Sequence, residues 1–228
     1  FTFTTAVASG RPYNVTVLAQ PTSPTQQCDV QNPSGTVTTA NVTNVQITCV
    51  TTEFTIGGTV SGLRGSGLVL QNNSGDNLAV AADGTFTFAT SAPTGSAYNV
   101  TVATNPSSPT QVCTVSNGAG TINAGNVTSV TVNCETSSFT VSAEVSGLAG
   151  FFPYVQLRNT VRAPEPPAPP ERGPIVNAFS NGPHSLPPAV LSGWTYEVEI
   201  VGGTAQCTIS NGSGTMGGEN VVVQVVCF

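Results

Sequence analysis

The sequence predicts an all-β protein, a tandem array of antiparallel β-sandwiches of about 85 residues each. Three observations lead there. Thr, Val, Ser, Gly and Asn dominate the chain, a composition suited to strands and turns and poor for helices. Short stretches alternate apolar and polar residues at period two, punctuated by turn signals such as Asp83-Gly84. One cysteine-bounded stretch is written three times, as CDVQNPSGTVTTANVTNVQITC at 28–49, CTVSNGAGTINAGNVTSVTVNC at 113–134 and CTISNGSGTMGGENVVVQVVC at 207–227.

The repeat is longer than that stretch. Phe54-Thr-Ile and Phe139-Thr-Val stand 85 positions apart, as do Phe1-Thr-Phe3 and Phe86-Thr-Phe88. The same offset joins Tyr13 to Tyr98, Pro21 to Pro106, Pro24 to Pro109, Cys28 to Cys113 and Cys49 to Cys134 without a gap. A fixed period of this kind marks an array of similar modules. It gives a complete unit at 54–138, a divergent unit at 139–228, and at 1–53 a unit whose first 32 or so residues are absent. The chain is therefore expected to be a piece of a longer polypeptide, or else to have the 1–53 portion completed by strands of another chain. In the third unit the offset rises from 85 to 98, because 13 residues enter near 160–172 (TVRAPEPPAPPER). Later, NPSSPTQV before Cys113 shrinks to GGTAQ before Cys207. Insertions and deletions belong in surface connections, so both places are read as loops.

Within 54–138 the alternation gives seven strands. Phe54–Val60 is the first, Gly67–Gln71 the second, Asn77–Ala81 the third and Thr85–Ala89 the fourth, with Asp83-Gly84 turning between the last two. Ala97–Ala103 is the fifth, with Tyr98, Val100 and Val102 on one face; Val112–Ser116 and Val127–Cys134 close the unit. Seven short strands with turns between them make a sandwich. Pairing the last two strands antiparallel, about a turn near Ile122–Asn123, sets Cys113 opposite Cys134. Repetition then selects three local disulfides, Cys28–Cys49, Cys113–Cys134 and Cys207–Cys227, from the fifteen connectivities six cysteines allow. Disulfides imply an oxidising compartment, hence an extracellular or cell-surface protein.

Composition narrows the partners. The five basic residues are all Arg, against eleven acids, for a net charge of −6. Counterion release on a phosphate backbone needs clustered cations, so nucleic acid is excluded as a partner. No apolar run approaches the roughly 20 residues that span a bilayer, so this chain has no transmembrane segment. There is no C-x-x-C pair, and His184 is the single histidine, so no metal site and no cofactor are expected. His184 aligns with Phe86 and reads as a strand residue, and no Ser-His-Asp relay can form without it. Glu197 and Glu199 alternate on the solvent face of a strand. Asp76 and Asp83 flank a hairpin without the dense oxygen-ligand spacing of a calcium loop. No catalytic residue is assigned.

The run DGTFTFAT (83–90) and TGSAYNVTV (94–102), preceded by GTVSGLRGSGLVLQNN (58–73) and followed by the cysteine-bounded stretch, resembles the Ig-like repeats of bacterial surface and secreted proteins. Its G-x-F-x-F and G-x-x-Y-x-V-x-V core is similar to prealbumin-like sandwiches of the Cna-B type in adhesin stalks. The resemblance covers 54–138, the second half of the first unit and the divergent third. It implies an Ig-like, prealbumin-like sandwich and a non-catalytic stalk, adhesive or fibre-forming role. Cna-B stalks often carry a Lys–Asn isopeptide bond, which a chain without Lys cannot make.

The expectation is a non-enzymatic extracellular structural or adhesive protein, a stalk or a subunit of a surface fibre. It would self-assemble or pack against neighbouring Ig-like repeats. The alternative is a carbohydrate- or ligand-binding array. Both readings point to the third unit, whose stiff proline loop and extra aromatics have no counterpart elsewhere. Its candidate interface comprises Phe151, Phe152, Tyr154, Pro164, Pro166, Pro167, Pro169, Pro170 and Trp194, the last standing where Ser96 stands in the second unit.

Overall fold

Alternating side chains with few helix formers fold as the composition demands. The computed structural model describes residues 1–151, 153–164 and 169–228, and every regular element among them is a strand. No helix is long and apolar enough to cross a membrane among the described residues. Phe152, Pro166 and Pro167 lie outside the described residues.

Two four-stranded sheets form the middle sandwich. One runs Gln111–Ser116, Val127–Thr136, Ile56–Ser61, Gly84–Thr87, and the other runs Ala119–Thr121, Ala97–Thr104, Leu68–Asn72, Asp76–Val80. Ile56, Val60, Val130 and Val132 of the first meet Leu68, Leu70, Tyr98 and Val100 of the second in one buried cluster. Each fully buried side chain of this kind contributes about 1.5–3 kcal/mol. The C-terminal sandwich is built alike. Gly182–Ser185, Val141–Ser146, Val221–Cys227 and Cys207–Ser210 form one sheet, and Val155–Arg162 with Thr195–Gly203 anchor the other. Its own cluster contains Val141, Val145, Leu157, Val198, Met216 and Val225. Ahead of these, Pro12–Asn14 pairs with Ser34–Thr36, and Gln26–Gln31 with Gln46–Thr51. Here Ile47 is 44% exposed, while Val132, 85 positions on, is 1% exposed.

Four features depart from the sequence reading. Val127–Thr136 runs parallel to Ile56–Ser61, and Val221–Cys227 parallel to Val141–Ser146, while every other ladder is antiparallel among the described residues. The chain leaves its first strand, crosses to the other sheet and returns beside that strand in the same direction. Alternation fixes faces, and it carries no direction of pairing. Second, the stretch expected as a turn near Ile122 is a crossing. Ala119–Thr121 pairs with Ala97–Thr104 in the opposite sheet, which leaves Ile122 fully buried. Third, Phe54–Val60 is broken into Glu53–Phe54, which pairs with Ala92–Pro93, and Ile56–Ser61, with Asn126 Oδ1 accepting from Thr55 N–H at the break. Fourth, the 160–172 insertion is not loop throughout. Thr160 and Val161 pair with Arg172 and Glu171 in a short antiparallel ladder.

Glycine has a steric task at two kinds of place. A Cβ on Gly58 would stand 1.8 Å from the Val130 carbonyl oxygen, beside the irregularity between Val127 and Val130 in the parallel ladder. Gly35, Gly120 and Gly214 lie directly across from Tyr13, Tyr98 and Tyr196, and each ring covers its glycine closely enough that a Cβ would meet it. Gly58→Ala is expected to lower stability by about 1–3 kcal/mol through overpacking, and Leu70→Ala by about 2–5 kcal/mol through a cavity. Urea denaturation followed by circular dichroism checks both, and unchanged midpoints would contradict this packing.

Candidate functional site

The sandwiches join at seams made by one recurring loop. In the middle sandwich Asn105–Thr110 leads from Ala97–Thr104 into Gln111–Ser116. Thr110 O accepts from Ser137 N–H at 2.9 Å, while Thr110 N–H donates to Ser192 Oγ at 2.9 Å. Ser192, only 4% exposed, donates its own N–H to Ser137 O at 2.8 Å. Ser137 is the single residue between Val127–Thr136 and Ser138–Phe139. At the preceding seam Thr25 O accepts from Thr52 N–H at 2.8 Å, and Thr25 Oγ1 meets Thr94 Oγ1 at 3.0 Å. Thr52 is again the single residue between two strands. A buried hydroxyl bonded across a one-residue linker leaves a hinge little room.

Three local devices hold the second seam in shape. Cys113 and Cys134 are paired in register and bridged, and so are Cys28 with Cys49 and Cys207 with Cys227. Two positions beyond that bridge, Gln111 is 1% exposed and uses both ends of its amide. Its Oε1 accepts from Arg64 N–H (2.8 Å) and Gly65 N–H (2.7 Å), and its Nε2 donates to Gly62 O (2.8 Å). Gly65 must be glycine, since a Cβ would stand 2.4 Å from Pro109 O. The Gly62–Gly65 turn is also held by Asp83, whose carboxylate accepts from Gly62 and Leu63 N–H. Asn181 does the same for Leu148 in the C-terminal sandwich.

Beside this seam lies an open cleft of about 760 Å³. The middle sandwich lines it with Arg64, Ser107, Ser108, Pro109 and Thr136; the C-terminal sandwich lines it with Pro164, Leu191, Trp194, Thr215 and Met216. Trp194 is half-buried against the C-terminal core, and its backbone is tied to Leu191 O and Met216 N–H.

The sequence-derived interface residues fall in two places. Pro164 and Trp194 meet at the cleft. Phe151, 95% exposed, and Tyr154, its ring tilted 34° to that of Phe179 at 5.5 Å, belong to the opposite end. The ladder between Val155–Arg162 and Thr195–Gly203 separates them, with Val155 opposite Gly203 at one end and Arg162 opposite Thr195 at the other. Pro169 and Pro170 are exposed. Sequence reasoning missed Arg64, Ser192 and the SPT loops. A signal was there, since Ser23-Pro24-Thr25 and Ser108-Pro109-Thr110 recur at the 85-residue offset. The remaining polar candidates are engaged locally. His184 Nε2 bonds Ser180 O at 2.9 Å, and Glu199 and Glu197 lie 3.7 and 3.9 Å from Arg158 and Arg162 across the strands. Asp76 accepts from Thr90 N–H.

No family model matches this chain, and no curated protein matches it. Among solved structures, it is similar to the Bacillus anthracis TIE protein at 12% identity and a TM-score of 0.45, over 81% of this chain. The chain spans 37% of that protein's length. Two Streptococcus pyogenes major pilin proteins also align. One shares 10% identity over 78% of this chain and 98% of its own, with a TM-score of 0.26. The other shares 11% over 78% and 96%, with a TM-score of 0.25.

Gln111→Leu keeps the volume and removes both hydrogen-bonding ends. It should cost about 1–3 kcal/mol for each backbone group left unpaired and speed hydrogen exchange at Arg64 and Gly65. Protection at those amides unchanged from the parent would show that Gln111 does not hold the turn. Cys113→Ser with Cys134→Ser should lower stability by about 3 kcal/mol on the chain-entropy account, read by denaturation under non-reducing conditions.

Proposed function

We propose that this chain is a non-enzymatic, exported structural protein, a stiff element of a stalk or surface fibre. Its units are 1–53, 54–138 and 139–228, and it acts by holding a fixed extended shape between whatever lies at its two ends. One observation carries the reading, the twice-made seam. Thr25 and Thr110 occupy the same place in consecutive units and each grips a one-residue linker. A chain selected for independent binding modules would gain from flexible joints, whereas these joints are hydrogen-bonded and partly buried.

Other features agree. Cross-strand disulfides suit an oxidising exterior. Sheet edges without Lys are poorly defended against strand addition, which favours association with neighbouring sandwiches or further copies. The candidate acids and the histidine are engaged in local hydrogen bonds and ion pairs.

Small-angle scattering tests the stiffness. The parent chain should fit one rigid shape, whereas Ser192→Ala, or removal of 107–110, should broaden the distance distribution with both cores still folded. Negative-stain images of the native material should show stalks or filaments of uniform width. Freely jointed, unassociated particles in both measurements would overturn the proposal.

A further inference from the structure

The cleft between the middle and C-terminal sandwiches has the chemistry of a ligand site, and we infer that it binds an acidic oligosaccharide of the uronic-acid class. This goes beyond the structural role and does not depend on it.

The argument begins with donors that lack acceptors. Arg64 is exposed at the cleft and, like Arg11 and Arg172 but unlike Arg158 and Arg162, has no ion-pair partner among the described residues. The Trp194 indole N–H likewise has no hydrogen-bond partner among the described residues, although the backbone on both sides of the ring is fixed. No carboxylate lines the cleft among the described residues. In a chain of net charge −6, Arg64 in a recess whose described lining carries no carboxylate attracts an anion.

The remaining lining selects the kind of anion. Ser107, Ser108, Thr136 and Thr215 offer hydroxyls, which both give and accept hydrogen bonds. Trp194 offers an aromatic wall with a polar edge, on which the apolar face of a sugar ring can lie. The volume, about 760 Å³, falls within the roughly 300–1,000 Å³ of small-ligand sites. A polyhydroxylated ring bearing a carboxylate uses every one of these groups at once. An acidic peptide would use Arg64 and leave the hydroxyl-rich floor poorly matched.

The site is also built rather than incidental. Gln111 and Gly65 fix the turn that carries Arg64, and Met216 fixes the strand end that carries Trp194. At the position of Trp194 the middle sandwich has Ser96, and the insertion bearing Pro164 is confined to the third unit. Pro164 and Trp194 line the same recess.

Trp194 is the chain's single tryptophan, so its fluorescence reports on this cleft alone. The full chain is titrated with tetragalacturonate, with the neutral cellotetraose and with a tetraglutamate peptide. Tetragalacturonate should give a saturable change that weakens as salt rises, with cellotetraose binding about tenfold more weakly. Arg64→Gln should lose about tenfold for tetragalacturonate and leave cellotetraose unchanged, while Arg11→Gln, in the N-terminal portion, should alter neither. Trp194→Phe should retain part of the affinity and Trp194→Ala should lose it, both followed by calorimetry on protein whose thermal melt matches the parent. Absence of saturable binding, equal affinity of Arg64→Gln and parent, or tighter binding of tetraglutamate than of tetragalacturonate would each overturn the inference. The scattering measurement stays informative in every case, since it does not involve the ligand.

Discussion

The register of one strand governs the middle sandwich and the seam beyond it. Val127–Thr136 pairs on one side with Gln111–Ser116 and on the other with Ile56–Ser61. With Cys134 set opposite Cys113, Thr136 falls opposite Gln111, and the next residue, Ser137, comes within reach of Thr110 O. A slip of one residue would turn Val130 and Val132 out of the core, because side chains alternate across the sheet. It would also carry Ser137 away from Thr110. Core, disulfide and seam are thus three consequences of a single pairing, and the sulfur bridge penalises every other register.

The same economy runs through a seam built with very little charge. Surface ion pairs contribute at most about 1 kcal/mol each, and the two seen here lie within the C-terminal sandwich. The seam relies instead on backbone groups and on a Ser192 hydroxyl shielded from water. Such bonds gain from the low local dielectric and are costly to leave unmade. The strand pairs Glu53–Phe54 with Ala92–Pro93, and Ser138–Phe139 with Val190–Leu191, fasten the start of each sandwich immediately after the linker. A bend at Thr52 or Ser137 would have to break a backbone bond, a hydroxyl contact and the adjoining strand pair together.

What could be read from the chain was what depends on alternation and repetition. The all-β class follows from period two, and the face carrying Tyr98 and Val100 follows from the same alternation. The parallel ladder could not be read, because direction depends on where the chain returns after crossing sheets, and Ala119–Thr121 looks like any glycine-bearing turn. The Tyr–Gly contacts were equally silent: nothing in the alternation shows that Gly35, Gly120 and Gly214 each lie beneath a tyrosine from the neighbouring strand. At the cleft, Trp194 and Pro164 were visible as novelties of the third unit. Arg64 was not, since it sits 130 positions before Trp194 and only the seam brings the two onto one recess.

The third sandwich diverges both in its core, where His184 and Leu186 stand in place of the buried Phe86 and Phe88, and at the ends of its strands. At the end facing the middle sandwich it has gained Trp194 and Pro164. At the far end the SPT loop has shrunk to Gly202–Gln206, and the exposed aromatics Phe151 and Phe179 stand nearby. The Ser-Pro-Thr loop that grips a linker through Thr25 and through Thr110 has no equivalent there. The third sandwich therefore differs from the middle one at both ends, with Trp194 at one and the shortened Gly202–Gln206 loop at the other.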